Sequence, residues 1–386
     1  MLQDLLPALP WLLPYLAVLR ILPRKPDLAD APDVDGTLIS IVIPARNESA
    51  TIATLLTSLL STRYRSVEII VVDDRSTDDT SRIVSDFARR DSRVRLHPGQ
   101  ELPEGWYGKP WACFQGYREA RGDMIVFTDA DTRHEPDLLL HAVGAMEQEH
   151  ADLVTVITGQ RCVSFWERVI MPQIWILIAL RYFPRRINRA TRPRDVIANG
   201  QFIMVRRTSY ERAGTHEAVR DKVAEDLALA QVFLRRGLKL HMAFGESLIE
   251  TRMYTGWRTL VEGWTKNIYL GGQASFPDEP LLRALAPLAL VFTMLFWLWP
   301  VAWLGLSIVS NGNVYPSLLA AGLCVLFWAG MCRAMRIPPV YGLAYPIGSA
   351  AALFIVLKSA WRGARGVEWK GRVYSGLDGK ARGSGK

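Results

Sequence analysis

The chain has 386 residues, a formal net charge of +8, and 49% hydrophobic against 22% charged residues. That blend fits neither a wholly soluble enzyme nor a polytopic transporter. The basic residues gather beside apolar segments, Arg20, Arg24 and Lys25 after the first and Lys358, Arg362, Arg365, Lys370 and Arg372 after the last. This suits the cytoplasmic side of a membrane with anionic lipids and argues against nucleic-acid binding.

Residues 5–22 form an apolar run with Pro7, Pro10 and Pro14. Its basic residues follow rather than precede it, and no small-residue cleavage site comes after. Residues 1–23 therefore read as a membrane anchor rather than a signal peptide. Residues 24–37, rich in Pro and Asp, read as a linker. A globular region follows over 38–272. It opens with a β-rich run at 38–44, a helical stretch near 49–61, and a continuous apolar run at 67–72 that ends in Asp73 and Asp74. A further helix through Arg89 leads to a third apolar run, 124–128, ending in Asp129. Short apolar strands alternating with helices predict an α/β domain whose parallel sheet is covered on both faces. Ligands of such sheets bind at the carboxyl ends of the strands, and acidic residues stand at two of those ends.

Residues 165–187 combine an apolar dozen with Trp166, Trp175, Tyr182, Phe183, Arg181, Arg185 and Arg186. The segment is too short to span a bilayer and suits either a helix in the membrane interface or a buried core helix. Three long apolar runs, 284–310, 315–332 and 340–357, make a transmembrane region over 283–358, and a basic tail fills 359–386. Three full crossings would place that tail opposite a cytoplasmic domain, against the positive-inside tendency. A re-entrant third segment, which Pro346 and Gly348 permit, would keep it on the same side. The expected location is the inner cell membrane, multi-pass, with the globular domain in the cytoplasm. Cys113, Cys162, Cys324 and Cys332 are scattered and form no CxxC pair, so neither a disulfide framework nor a zinc site is indicated.

Four acidic clusters come in order: Asn47 and Glu48 after Pro44, Asp73 with Asp74, Asp129 with Asp131 in FTDADT, and Glu225 with Asp226 in VAEDLALA. Together they resemble the family 2 glycosyltransferases of the GT-A fold, over about residues 38–272. Any one cluster alone carries little weight. An acidic pocket repels a nucleotide diphosphate unless a divalent ion, Mn2+ or Mg2+, lies between them, bound through few protein oxygens. The resemblance places that metal on Asp131, with Asp129 beside it. It places the nucleoside, expected as that of a UDP-sugar, against Pro44, Asn47, Glu48, Asp73 and Asp74. It makes Asp226, next to Glu225, the general base of an inverting displacement. Asp78 and Asp79 read as helix-start residues.

Two further stretches, LPEGWYGK with Lys109, and Ser164 to Arg168, look like membrane glycosyltransferases associated with hopanoid and carotenoid biosynthesis, and distantly like ceramide glucosyltransferases. Lys109 is then a phosphate contact or a surface lysine. Asn199, Gly200 and Gln201 resemble the loop that meets the acceptor, and Trp264 caps the site or marks an interface. The QxxRW motif of many processive relatives is absent, with WRTLVEGWTKN in that region instead. The implied reaction is transfer of one sugar from a nucleotide sugar to a membrane lipid. A processive polysaccharide synthase and a catalytically inactive scaffold are the alternatives.

Overall fold

The structure is a computed structural model that describes residues 6–21, 25–362, 367–369, 372–375 and 380–381. The expected basic tail lies, from residue 363 onward and apart from three short strands, outside the described residues, as do Arg24 and residues 1–5. The chain divides into two compact units, one of residues 26–160, 182–253 and 364–386, the other of 1–25, 161–181 and 254–363.

In the first unit ten strands form the framework: β1 Ile39–Ala45, β2 Val67–Asp73, β3 Val94–Pro98, β4 Met124–Phe127, β5 Thr132–His134, β6 Leu153–Ile157, β7 Gly159–Gln160, β8 Ile203–Arg206, β9 Leu240–Phe244 and β10 Ile249–Thr251. Seven of them make one sheet in the order β3-β2-β1-β4-β8-β6-β9. The expected α/β sheet is present and mostly parallel, with β8 alone reversed against its neighbours β4 and β6. The reversal matters for the site. Phe127 at the end of β4 lies opposite Ile203 at the start of β8, so the loop entering β8 joins the carboxyl edge of β4.

Strand β1 is apolar almost throughout because both its faces are covered. Ile39, Ile41 and Ile43 are buried together with Leu55, Leu56 and Leu59 of helix Ile52–Leu60 and with Leu139 and Val143 of helix Leu138–Gln148. Behind β1 and β2 runs helix Gly108–Glu119, close enough that a Cβ at Gly116 would stand 2.3 Å from Val42 Cγ1. Only glycine permits that approach. The small sheet β5-β10-β7 carries the chain away from β4.

The second unit is helical: Leu13–Ile21, Phe165–Arg181, Trp257–Ser275, Pro280–Val309, Tyr315–Ala334 and Tyr345–Arg362. Three of its segments, Pro280–Val309, Tyr315–Ala334 and Pro339–Arg362, are long and apolar enough to cross a membrane. The leading helical stretch, Leu6–Leu19, is apolar but shorter. Phe292 and Trp361 are 69% and 82% exposed, as side chains facing lipid would be. Some polar groups inside the unit are paired: Trp11 Nε1 donates to the Phe296 carbonyl at 3.1 Å, and Ser349 Oγ to Gln173 Oε1 at 3.1 Å. Helix Phe165–Arg181 groups with these helices, and its Val169, Ile170, Met171 and Ile174 are buried.

Candidate active site

The site assembles at the carboxyl edge of the sheet, where β1, β2 and β4 end and β8 begins. Beyond β1, Asn47 takes a left-handed φ of 54°, which asparagine tolerates better than most residues. Its Oδ1 accepts from Thr77 N at 2.8 Å, and its own N–H donates to Ser76 Oγ at 3.0 Å. Glu48 N donates to Thr80 Oγ1 at 2.8 Å, and Glu48 Oε2 accepts from Thr51 Oγ1 at 3.1 Å. Pro44 lies within β1 opposite Val72.

Asp73 and Asp74, at the end of β2, are buried. Asp73 Oδ1 accepts from Ser76 N at 3.0 Å, and Oδ2 accepts from the Ser81 hydroxyl. Asp78 caps from outside: its carboxylate accepts from Thr80 N at 3.0 Å and from Ser49 N at 3.0 Å, so it ties the two loops together. Desolvation opposes ionisation of Asp78, but the hydrogen bonds from Thr80 and Ser49 outweigh it and hold the carboxyl below its usual range. The loops after β1 and β2 thus form one braced ledge.

After β4 comes the turn of Asp129 and Asp131. Asp129 Oδ1 lies 2.7 Å from Lys109 Nζ, and the same ammonium lies 2.8 Å from Glu225 Oε1. Lys109 belongs to the first turn of helix Gly108–Glu119. Burial would strip its proton, but Asp129, Glu225 and Asp226 more than compensate, and its pKa stands well above the ordinary lysine value. Burial pushes Glu225 up to about 6, with Lys109 acting in the opposite direction.

Glu225 and Asp226 open helix Glu225–Arg235, where the helix dipole favours negative charge. Glu225 is buried and faces Lys109, whereas Asp226 is half-buried. Asp226 Oδ2 accepts from Gly200 N at 3.0 Å and Oδ1 from Leu227 N at 2.7 Å. These two donors fix the orientation of the carboxylate and leave lone pairs for a further proton donor. A Cβ on Gly200 would sit 2.8 Å from Lys109 Nζ and 3.2 Å from Asp226 Oδ2. A side chain at that position would have to shift the Lys109 ammonium and crowd the Asp226 carboxylate.

The side chains of Asn199 and Gln201 are committed inside the protein. Asn199 Nδ2 donates to the Val156 carbonyl at 3.0 Å and to Gln201 Oε1 at 3.2 Å, and Gln201 Oε1 also accepts from the Thr158 hydroxyl. Trp264 lies in the helical unit, buried, with Nε1 directed at Met171 Sδ at 3.4 Å and its ring near Tyr254. Sequence reasoning overlooked Thr128, Thr132 and His134, which are buried beneath the turn; the position of His134 three residues after Asp131 was the available signal.

The donor set bears on the metal. Among the described residues no three His, Cys, Asp or Glu converge as a ready-made metal cage. The turn offers two carboxylates, Asp129 and Asp131, and this fits Mg2+ or Mn2+, which protein sites commonly hold through one or two carboxylates while phosphates complete the shell.

Residues 40–214 match the family model of glycosyl transferase family 2. The chain is 26% identical over 248 residues to the 4,4'-diaponeurosporenoate glycosyltransferase of Staphylococcus haemolyticus, covering 63% of this chain and 64% of that protein. It is 28% identical over 243 residues to the protein of the same name from Staphylococcus aureus USA300, covering 62% and 63%. The chain thus spans a little under two thirds of the length of these relatives. A solved mannosyltransferase from Pyrobaculum calidifontis, in complex with GDP-Man and Mn2+, shares the fold at a TM-score of 0.59 and 20% identity, covering 91% of this chain and 94% of that one. Over residues 40–214, a little under half of its length, the chain is thus similar to glycosyl transferase family 2, on a mostly parallel sheet of the GT-A type.

Proposed function

We propose that the chain transfers a single sugar from a nucleotide-sugar donor, a UDP-sugar first among candidates, to the hydroxyl of a membrane lipid or lipid-like acceptor, with inversion. The observation that carries the reading is the convergence of Asp129, Lys109, Glu225, Gly200 and Asp226 at one edge of the sheet. Cation and carboxylates stand there beside an oriented, accessible aspartate.

In this reading the braced ledge of Asn47, Glu48, Asp73 and Asp74 receives the nucleoside. Asp131 and Asp129 hold a divalent ion, which when bound offsets the charge growing on the departing diphosphate. Lys109 adds a second positive charge beside the same group, kept protonated and aimed by Glu225. Asp226 accepts the acceptor's hydroxyl proton as that oxygen bonds to the anomeric carbon and the bond from that carbon to the diphosphate breaks. The nucleoside diphosphate leaves with the electron pair. Glu225 is assigned to holding Lys109 rather than to proton transfer, because it is buried against the ammonium.

The acceptor class rests on two supports: the three helices able to cross a membrane, and relatives whose names give 4,4'-diaponeurosporenoate as what they glycosylate. A cytoplasmic domain on the inner membrane is the orientation this reading requires. The test offers the purified protein a panel of radiolabelled UDP- and GDP-sugars with Mn2+ and a total lipid extract. The reading expects one labelled product of single-sugar mass in the organic phase. A ladder of products would make the chain a polymer synthase, and the absence of any transfer or donor hydrolysis would make it a scaffold.

A further inference from the structure

A column of buried polar groups runs beneath the site. Thr132 Oγ1 donates to the Asp129 carbonyl at 2.9 Å, and Thr128 Oγ1 donates to the Gln201 carbonyl at 2.8 Å. His134 Nε2 lies 3.1 Å from each of these two hydroxyls. The three side chains are 1% to 4% exposed. Each hydroxyl has one proton, and both protons are already given to carbonyls. Both oxygens are therefore acceptors toward the ring, and Nε2 must carry the hydrogen, shared between them. Nδ1 is then a bare lone pair, in agreement with its burial without a hydrogen-bond partner. Desolvation pushes the His134 pKa down to about 3, so the ring is neutral across the working range. The ring also meets Phe202, the residue after Gln201, edge-on with centroids 6.0 Å apart, and the His134 N–H is anchored on Ser58 Oγ at 3.1 Å.

The ends of this column are the two halves of the chemistry. One end is the carbonyl of Asp129, in the turn that carries both acidic residues. The other is the carbonyl of Gln201, one residue from the Gly200 N–H that holds Asp226. Burying this many polar groups costs free energy unless they are paired, and here the two hydroxyls, the two carbonyls and Nε2 pair with one another, leaving Nδ1 alone, so that the network specifies one arrangement. We propose that His134 is a positioning residue, which through Thr128 and Thr132 fixes the Asp129 turn and the Asp226-holding loop at one spacing. The inference rests on the transferase reading for its kinetic consequence, but not for its geometric one. It also revises the part played by Asn199, Gly200 and Gln201: the loop holds the base, with its own side chains turned inward.

The test compares His134→Leu with His134→Gln, whose Nε2 can reach the same two hydroxyls, and adds Thr128→Val, which removes one link at nearly constant volume. Three quantities are measured on the full chain in detergent: transfer kcat, Mn2+-supported binding of UDP and of GDP, and the thermal midpoint. His134→Leu and Thr128→Val are expected to lose kcat by roughly 10- to 100-fold, the effect of a small misplacement of reacting groups, and to bind nucleotide more weakly. His134→Gln is expected to recover most of both. Wild-type kcat and binding in Thr128→Val, or equal impairment of the Gln and Leu variants at matched thermal midpoints, would overturn the inference. If the wild type transfers no sugar, the transferase reading falls, and the nucleotide-binding arm alone still decides the role of His134.

Discussion

The most informative residue is Lys109, whose ammonium bridges Asp129 and Glu225 at 2.7 and 2.8 Å. From sequence it was either a phosphate contact or a surface lysine in a glycine-rich loop, because nothing in the spacing revealed that helix Gly108–Glu119 starts beside the turn after β4. The acidic clusters were legible, since acids at the ends of apolar strands have few purely structural explanations. The inward commitment of Asn199 and Gln201 was not, since it depends on β8 running backward. Two predictions belong to this scale. Replacing Asp131 by Ala should remove the metal dependence of nucleotide binding and abolish transfer; turnover that persists in EDTA would contradict the assignment. The second concerns Glu225, whose pKa rises from the ordinary 4.5 to about 6 through burial. Between those values the folded protein binds more protons at this site than the unfolded chain does. The stability this group contributes is therefore complete below about 4.5 and lost as pH rises through about 6. The thermal midpoint of the wild type, relative to Glu225→Gln, should fall over that window. A constant difference across pH would place Glu225 in a more solvated setting than the one seen.

Strands β1, β2 and β4 and the helices Ile52–Leu60 and Thr80–Arg90 stand where the apolar runs and their polar stops indicated, because a strand buried on both faces leaves a continuous hydrophobic signature. Strands β3, β6, β8 and β9 were not read from sequence. β3 carries Arg95 and His97 and β9 carries His241 among their apolar residues, and β8 is four residues long, too short for a period to show. The helix Gly108–Glu119 is a harder case. Its Gly116 would discourage a helix by propensity, and packing explains it: the residue lets the helix lie against Val42 and Val72. Substituting Gly116→Ala should therefore destabilise by about 1–3 kcal/mol through overpacking. Because the clash is with Val42, the added substitution Val42→Ala should recover part of that loss. Thermal or chaotrope unfolding of the single and double variants measures it, and strictly additive losses would rule out the direct contact.

Across the whole molecule, one unit carries most of the stretch that matches family 2, and the other carries residues 161–181 of that stretch together with three segments able to cross a membrane. The three long apolar runs of the last third were legible from composition. The grouping of residues 161–181 with residues 254–363 was not, since it joins segments that residues 182–253 separate in the chain. This architecture predicts an amphiphilic acceptor. Transfer to a lipid-soluble alcohol in liposomes should exceed transfer to any soluble sugar, and equal or better activity on soluble sugars would count against a membrane acceptor. The central claim is that Asp226, held by the Gly200 and Leu227 N–H groups, takes the acceptor's proton. The most direct measurement is kcat alongside donor affinity for Asp226→Asn, which keeps the size of the side chain and removes its basicity. The account predicts unchanged donor binding with kcat reduced by about 10²- to 10⁴-fold, the usual cost of losing a general base. A variant that binds donor and turns over at near wild-type kcat would place the base elsewhere.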